Sequence, residues 1–550
     1  MCKRFIFLLL ILNIVLSAAY SQRRMVAEWE PAYGTLIRWP LGIPGNLVAE
    51  LASDDSLYVL VRNLGQQTQA ISTFQSYGVN LDHCRFIIAP TYSHWTRDWG
   101  PHYVFDEAGL ACIADPIFDG YPWVPGCNTS DDALVFDGGR GYEEDDAVNA
   151  ILAAEFGLPL ISLPIYLTGG NVMTDGSGYA VSTRQMLDEN APICDEACFM
   201  AVTADSLGLP HYFIAENPEV YGIQHIDCYA KILDEEKILV KQTPAWHAEY
   251  ACVEALAQFL GNKVNCYGRK YEIIRIFCPS YSGNSLAAYT NSLIINKKVL
   301  VPLFGISADE EALDTYREAM PGYEVIGFTG SWYHYDALHC RTMGIFDPHM
   351  LVMRHKPPLH AVANLPVTLT AKIDDRSEAG LIPDLLRLFW REEGNMLWEN
   401  LLLTPSTQTD TFYAVLPGFP AGTELEYYFS AADSSGRQER LPRTAPGGYY
   451  RLEVSNIMPG LEEISQRSYL RVSPVPAHDI VKIGYTPAVS GRLGMYIYNI
   501  HGQQVWNDEI YVNGNVPVSF QWHCENAPAG IYILKTSLNE EIKVVKIIKN

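Results

Sequence analysis

The chain has 550 residues, 48% of them hydrophobic and 19% charged, which excludes a disordered protein and is too much chain for one hydrophobic core. A formal net charge of -24 argues against nucleic acid and anionic membrane surfaces as partners and favours cationic ones through a diffuse field.

The N-terminus carries a targeting signal. Lys3 and Arg4 precede a mostly apolar run over 5–19, and small residues at Ala19 and Ser21 fit cleavage before Gln22. Residues 1–21 therefore read as a signal peptide, and the protein is expected outside the cytoplasm, secreted or on the cell surface after passing the periplasm. No later stretch is long and apolar enough to span a membrane. Of the 12 cysteines, Cys2 falls in the signal. The odd remainder leaves at least one thiol unpaired in an exported chain. Cys194 with Cys198, and Cys112 with Cys127, are the pairings that proximity suggests. No pair has zinc-finger spacing, so structural zinc is not expected.

One pattern recurs from about residue 46 to 330: an amphipathic helix, a short β-branched strand, then a polar loop. Helix and strand are predicted at 68–77 and 84–88, 146–156 and 158–163, 247–260 and 271–277, and 308–320 and 323–328. Residues 46–53 with 57–61 form a further unit. Repetition at this scale predicts a pseudosymmetric α/β array, with chemistry in the loops after the strands. Past residue 358 the texture changes. Residues 361–454 alternate in the manner of an antiparallel β-sandwich, with turns such as Asp433-Ser434-Ser435-Gly436. A polar linker at 455–469 leads to a small all-β unit over 470–550, with strands at 482–485, 494–499, 530–536 and 542–548.

Four loop segments share a polar character that is costly unless paired or functional. They are Trp95-Thr96-Arg97-Asp98-Trp99-Gly100-Pro101, His225-Ile226-Asp227, Tyr289-Thr290-Asn291-Ser292 and Leu338-His339-Cys340-Arg341-Thr342. Singly, each has an ordinary structural reading: an ion pair, a satisfied histidine, a turn asparagine, a buried thiol. Together, one cysteine, one histidine and two aspartates are what attack on a guanidinium requires. Asp98 and Asp227 can hold the planar cation by bidentate hydrogen bonds. Cys340 is the natural nucleophile, His225 the proton shuttle, and Asn291 a group that orients the loop or the thiol. Neither metal nor organic cofactor is needed for this chemistry.

These segments, with Thr168-Gly169-Gly170-Asn171, Met173-Thr174-Asp175-Gly176, and Asp336-Ala337 ahead of Leu338, resemble the Porphyromonas-type peptidylarginine deiminases and, more distantly, agmatine deiminase. The likeness covers about 22–358. It implies a pentein fold, a five-bladed α/β propeller with its active site near the pseudo-axis. It also implies Cys340 as nucleophile, His225 as acid/base, Asp98 and Asp227 as guanidinium ligands and Asn291 in support. Trp95 and Ile223 are implied to pack on the substrate's aliphatic stem. The substrates implied are arginine in peptides or proteins, or small guanidino compounds, with agmatine deimination for putrescine synthesis as the alternative. An inactive surface adhesin on the same scaffold is the non-enzymatic alternative. One departure stands out: the family's pair of carboxylate-gripping arginines is matched by Arg140, but Tyr142 occupies the second place, and a phenol does not replace a guanidinium fork. The sandwich resembles an immunoglobulin-like module. The terminal unit, through Tyr498-Asn499-Ile500-His501-Gly502-Gln503 and Pro528-Ala529-Gly530-Ile531-Tyr532, resembles a type IX secretion sorting domain, which implies the outer-membrane secretion machinery as a partner.

Overall fold

The computed structural model describes residues 23–127, 135–136, 142–456, 469–473, 476–487, 491–512, 518–538 and 541–550. Residues 1–21, expected from the sequence to be a signal peptide, Arg140 and most of the expected 455–469 linker lie outside them.

Five sheets in the first 346 residues repeat one plan. A strand pairs antiparallel with the next, which pairs parallel with a third after a helical crossover. In the second sheet these are His102–Phe105, Ala111–Ile117 and Leu160–Tyr166. In the third they are Met173–Thr174, Tyr179–Thr183 and His211–Ala215. In the fourth they are Ala230–Ile232, Lys237–Gln242 and Glu272–Phe277. In the fifth they are Leu293–Ile295, Lys298–Leu303 and Glu324–Thr329. The first sheet runs Ala32–Arg38, Ser56–Val61 and Cys84–Ile88 in parallel, and takes its antiparallel strand, Met343–Phe346, from the far end of the array. The chain thus closes on itself.

Local sequence accounts for these elements. Ser56–Val61 is apolar and buried along nearly its whole length, as a central parallel strand must be. Helix Leu64–Tyr77 opens on Asn63, whose side chain accepts from the Gln66 N–H, and stops at Gly78 with φ 73°. Helix Asp309–Ala319 has Asp309, Glu310 and Glu311 in its first turn and buries Ala312, Leu313, Tyr316 and Ala319 along one stripe.

The predicted helix–strand units occur within a few residues of their expected bounds. The unit that sequence reading missed is helix Glu196–Leu207 followed by His211–Ala215. Only Phe199, Thr203 and Leu207 of that helix are buried, so its apolar stripe is narrow. The Cys194–Cys198 disulfide forms as expected, with Cys198 in the first helical turn behind the Asp195 cap. The Cys112–Cys127 pairing is wrong. Cys127 bonds Cys252, 125 residues away, and Cys112 is a buried free thiol on strand Ala111–Ile117.

Two further sheets, one through Val367–Asp375 and one through Glu424–Ala432, enclose a core that includes Leu369, Leu388, Tyr427 and Phe429. This sandwich reaches back to strand Leu351–Arg354, ahead of the expected start at 361. It is tied to the five-sheet array by Arg437, which grips Asp347 at 2.7 and 3.0 Å, and by Arg443, which donates to the Trp29 carbonyl at 2.6 Å. The C-terminal unit packs two more sheets around Val481, Met495, Trp522 and Leu534. Among the described residues no helix is long and apolar enough to cross a membrane.

Candidate active site

Each sheet of the array ends on its last parallel strand, and the loop that follows contributes to one place. Cys84–Ile88 leads to Trp95 and Asp98, and Leu160–Tyr166 leads to Gly170. His211–Ala215 leads to Ile223, His225 and Asp227, Glu272–Phe277 to Asn291, and Glu324–Thr329 to Cys340. Loops beyond the carboxyl ends of parallel strands are where α/β folds assemble sites.

Asp98 lies in the helical turn Thr96–Trp99, which is pinned to the fifth loop by Arg97 N–H donating to the Cys340 carbonyl at 3.1 Å. Its Oδ1 accepts from Gly170 N–H at 3.1 Å and its Oδ2 from the Tyr121 hydroxyl at 2.8 Å. His225 Nδ1 stands 3.6 Å from Asp98 Oδ1 and has no hydrogen-bond partner. Asp227 Oδ2 faces His339 Nδ1 at 2.8 Å and Cys340 Sγ at 3.5 Å, while its Oδ1 is buried and unpartnered. Asn291 holds the cysteine at both ends. Its Oδ1 accepts from the N–H groups of His339 (3.0 Å) and Cys340 (3.3 Å), and its Nδ2 donates to Cys340 Sγ at 3.2 Å.

Burial shapes the protonation of these groups. It pushes the Asp98 carboxyl well above the usual carboxylate range, helped by the charge of Asp227, and lowers His225 to about 4. Burial also lifts the Cys340 thiol well above its ordinary value, with the Cys228 hydrogen bond and the Asp227 charge adding to it. Asp227 behaves oppositely. Burial raises it, but His339 outweighs burial and holds it below the usual range. His339 Nε2 in turn faces Glu28 Oε2 at 3.0 Å, and Glu28 accepts from Lys231 Nζ at 2.8 Å and Ile294 N–H at 2.8 Å. Although its surroundings raise it, Lys231, His339 and Arg97 keep the mostly buried Glu28 well below its ordinary value. Burial thus favours the protonated form of Asp98, while His339 favours the ionised form of Asp227.

A cavity of about 190 Å³ opens onto Asp98 and Cys340. Its walls are Trp95, Tyr121, Trp123, Tyr142, Ile223 and Tyr335. The rings meet edge-on, Trp95 against Tyr121 at 4.9 Å and Tyr121 against Tyr142 at 5.7 Å. Asp336 also lines the cavity but is held by both Nε and Nη2 of Arg341 at 2.8 and 2.6 Å.

The sequence-predicted residues Asp98, His225, Asp227, Asn291 and Cys340 therefore meet, with Trp95, Ile223 and Tyr142 in the cavity wall; Arg140 lies outside the described residues. Sequence reading missed Glu28, Tyr121, His339 as a charge partner, and the use of Gly170. A methyl group on Gly170 would sit 2.6 Å from Asp98 Oδ1, 2.8 Å from His225 Nδ1 and 3.1 Å from Asp227 Oδ2. Gly170→Ala is expected to lower kcat/KM at least about 100-fold by displacing these groups. Its stability cost should be only about 1–3 kcal/mol, read by thermal melting beside the kinetics.

The family described as Porphyromonas-type peptidyl-arginine deiminase matches residues 24–345, which contain every group named above. The chain belongs to this family. As a Porphyromonas-type deiminase it is an enzyme of the arginine and agmatine deiminase kind, a hydrolase of guanidino groups. A Yersinia pseudotuberculosis protein provisionally named agmatine deiminase is 25% identical over 261 residues, 42% of this chain and 68% of its own length. A solved Porphyromonas gingivalis structure, provisionally named an arginine deiminase, is 22% identical with TM-score 0.50, covering 60% of this chain and 99% of that one. The agmatine deiminase of Enterococcus faecalis is 18% identical with TM-score 0.50, covering 60% of this chain and 97% of that one. At these identities the two structures establish a shared α/β fold. Residues 471–550 match the secretion-system C-terminal sorting domain, so this deiminase is exported by the type IX route, to be secreted or held at the cell surface.

Proposed function

We propose that this chain deiminates arginine, in peptides or free, to citrulline and ammonia, with Cys340 as nucleophile. The observation that carries the reading is a pair of buried orphan atoms, His225 Nδ1 and Asp227 Oδ1, beside a thiol 3.5 Å from the same carboxylate. A planar cation with N–H groups along its edges supplies the donors that Asp227 Oδ1 and a neutral His225 Nδ1 lack.

In this reading the guanidinium enters between Asp98 and Asp227 while its aliphatic stem lies against Trp95 and Ile223. Its charge replaces the proton on Asp98 and favours ionisation of Cys340. The sulfur attacks the guanidinium carbon as the thiol proton passes to His225, neutral at first because of its low pKa. His225 returns that proton to the departing nitrogen, which leaves as ammonia. A thiouronium remains on Cys340. His225 then takes a proton from water and the hydroxide adds to the carbon; the C–S bond breaks as the new hydroxyl's proton passes to the sulfur, giving the ureido product and the Cys340 thiol, and His225 releases its proton to solvent, where it converts ammonia to ammonium. Asn291 Nδ2 stabilises the sulfur whenever it carries charge.

Agmatine is the second reading. Among the described residues the cavity wall contributes no lysine or arginine to meet a substrate carboxylate, and Tyr142 stands where the family has an arginine. Export of the chain weighs toward arginine in extracellular peptides. We also read the five repeated sheets as blades of a pentein propeller, the sandwich as an immunoglobulin-like spacer, and residues 1–21 as a cleaved signal peptide.

Ammonia release from an arginine peptide, free arginine and agmatine, measured side by side, tests the assignment. Citrulline on the peptide or from free arginine supports it, and carbamoylputrescine alone moves it to agmatine. No ammonia from any of them defeats both. Because burial and the Asp227 charge favour the protonated form of Asp98 before substrate binds, substrate binding to a Cys340→Ala variant should release a proton. The Kd should fall as pH rises, and calorimetry in buffers of different ionisation enthalpy reads the release directly.

A further inference from the structure

Cys228 has no task in that reaction, yet it is placed beside the nucleophile. It follows Asp227 in the helical turn Ile226–Cys228, is buried, and is a free thiol. Asn291 Nδ2, already 3.2 Å from Cys340 Sγ, lies 3.5 Å from Cys228 Sγ, so two thiols share one donor. One carboxylate oxygen of Asp227 and the two sulfurs all fall within 4.8 Å of one another. A tetrahedral ion with metal–sulfur bonds of about 2.3 Å and a metal–oxygen bond of about 2.1 Å sets sulfur and oxygen roughly 3.6 Å apart and two sulfurs roughly 3.8 Å apart. The observed separation of Cys340 Sγ and Asp227 Oδ2 is 3.5 Å. Asp227 Oδ1, buried and without a partner, offers a second oxygen at the same place. The cavity reaches Cys340, which gives an ion a path in and leaves a fourth coordination position for water.

We propose that Asp227, Cys228 and Cys340 form an inhibitory site for a thiophilic divalent cation of the zinc class. Two thiolates and one carboxylate select zinc-like ions over magnesium or calcium. On binding, each thiol loses its proton to solvent and forms a metal–sulfur bond; no electron is transferred. The Asn291 amide and His339 become the outer partners that orient the ligands. The ion occupies the sulfur lone pair that would attack substrate, so turnover stops. Because the protons must leave two buried thiols, binding tightens as pH rises. The inhibition rests on Cys340 being the nucleophile; the binding does not.

Full-length protein is titrated with Co2+, followed by thiolate-to-cobalt charge-transfer absorption, and Zn2+ is used to displace it. In parallel, Zn2+ and Mg2+ are tested against ammonia release. One equivalent of Co2+ giving a band that Zn2+ removes is expected, with inhibition by Zn2+ and none by Mg2+. Cys228→Ala should raise the Zn2+ concentration for half-inhibition at least about 10-fold. Cys340→Ala should lose the same charge-transfer band, a readout that needs no activity and stands if Cys228→Ala misfolds. Equal Zn2+ sensitivity in folded Cys228→Ala, or a cobalt band that neither substitution changes, overturns the site. A protein that binds Co2+ through both cysteines but deiminates nothing keeps the metal site and defeats the enzymatic assignment instead.

Discussion

Cys340→Ala is expected to lower kcat for ammonia release by at least about 10⁴-fold while leaving guanidinium binding within severalfold, measured by single-turnover ammonia assay and calorimetry. The thiol supplies the only bond between enzyme and substrate in the proposed reaction, whereas Asp98 and Asp227 supply the binding and are held by other groups. Asp98 takes hydrogen bonds from Gly170 and Tyr121, and Asp227 takes its short one, at 2.8 Å, from His339, so loss of the longer 3.5 Å contact with the sulfur leaves both carboxyls held. Cys340→Ser should not rescue turnover, because a hydroxyl has no comparable access to its anion in a buried acidic site. The same protonation argument predicts an order of reactivity for alkylating agents. Burial, the Cys228 hydrogen bond and the Asp227 charge favour the neutral thiol before substrate binds, so neutral iodoacetamide should react slowly at neutral pH. An amidine-bearing reagent brings its own cation and should react at least about 10-fold faster, with mass spectrometry locating the adduct on Cys340. Activity of the alanine variant above about 1% of wild type would remove Cys340 from the mechanism.

How far the sequence foretold this site depends on how local each signal is. Asp98, His225, Asp227, Asn291 and Cys340 are legible because each sits in a polar loop after a short apolar strand, where an unpaired polar cluster needs a reason. Tyr142 is legible only against the family's expected arginine. Glu28 carries no such signal. It is one acid in an acidic chain, and its importance comes from His339, 311 residues away. Cys228 adjoins Asp227 in sequence, but what gives it meaning is the sulfur of Cys340 brought alongside by closure of the array. The Cys127–Cys252 bond illustrates the same limit. Spacing suggested a nearby partner, while the fold brought together two loops 125 residues apart. Helix Glu196–Leu207 escaped for the opposite reason: its signal is local but weak, a one-residue-wide stripe behind a cysteine that drew attention as a crosslink.

His339→Ala is expected to be the most damaging substitution outside the reacting groups, destabilising the protein by about 3–5 kcal/mol and moving the pH profile of activity. His339 stands between two carboxylates, the buried Asp227 at 2.8 Å and the mostly buried Glu28 at 3.0 Å, and both ring nitrogens are engaged. Removing it takes from Asp227 its 2.8 Å ring partner and from Glu28 one of the three groups, with Lys231 and Arg97, that lower its carboxyl. Both carboxyls are held below their ordinary values in the folded protein, so they add stability above the usual carboxylate range that is lost as pH falls through their folded values. Without His339 their folded values rise, and the acid limit of stability should move to higher pH in melts recorded as a function of pH. A merely structural role would end there. If His339 also keeps Asp227 ionised for substrate, the acid limb of kcat/KM should move to higher pH as well, and binding should release more protons than in wild type. His339→Gln, which can still donate one hydrogen bond to Asp227, should recover part of the stability but not the wild-type pH profile. An unchanged profile in a folded His339 variant would reduce this histidine to scaffolding, and the ionised state of Asp227 would then need another source.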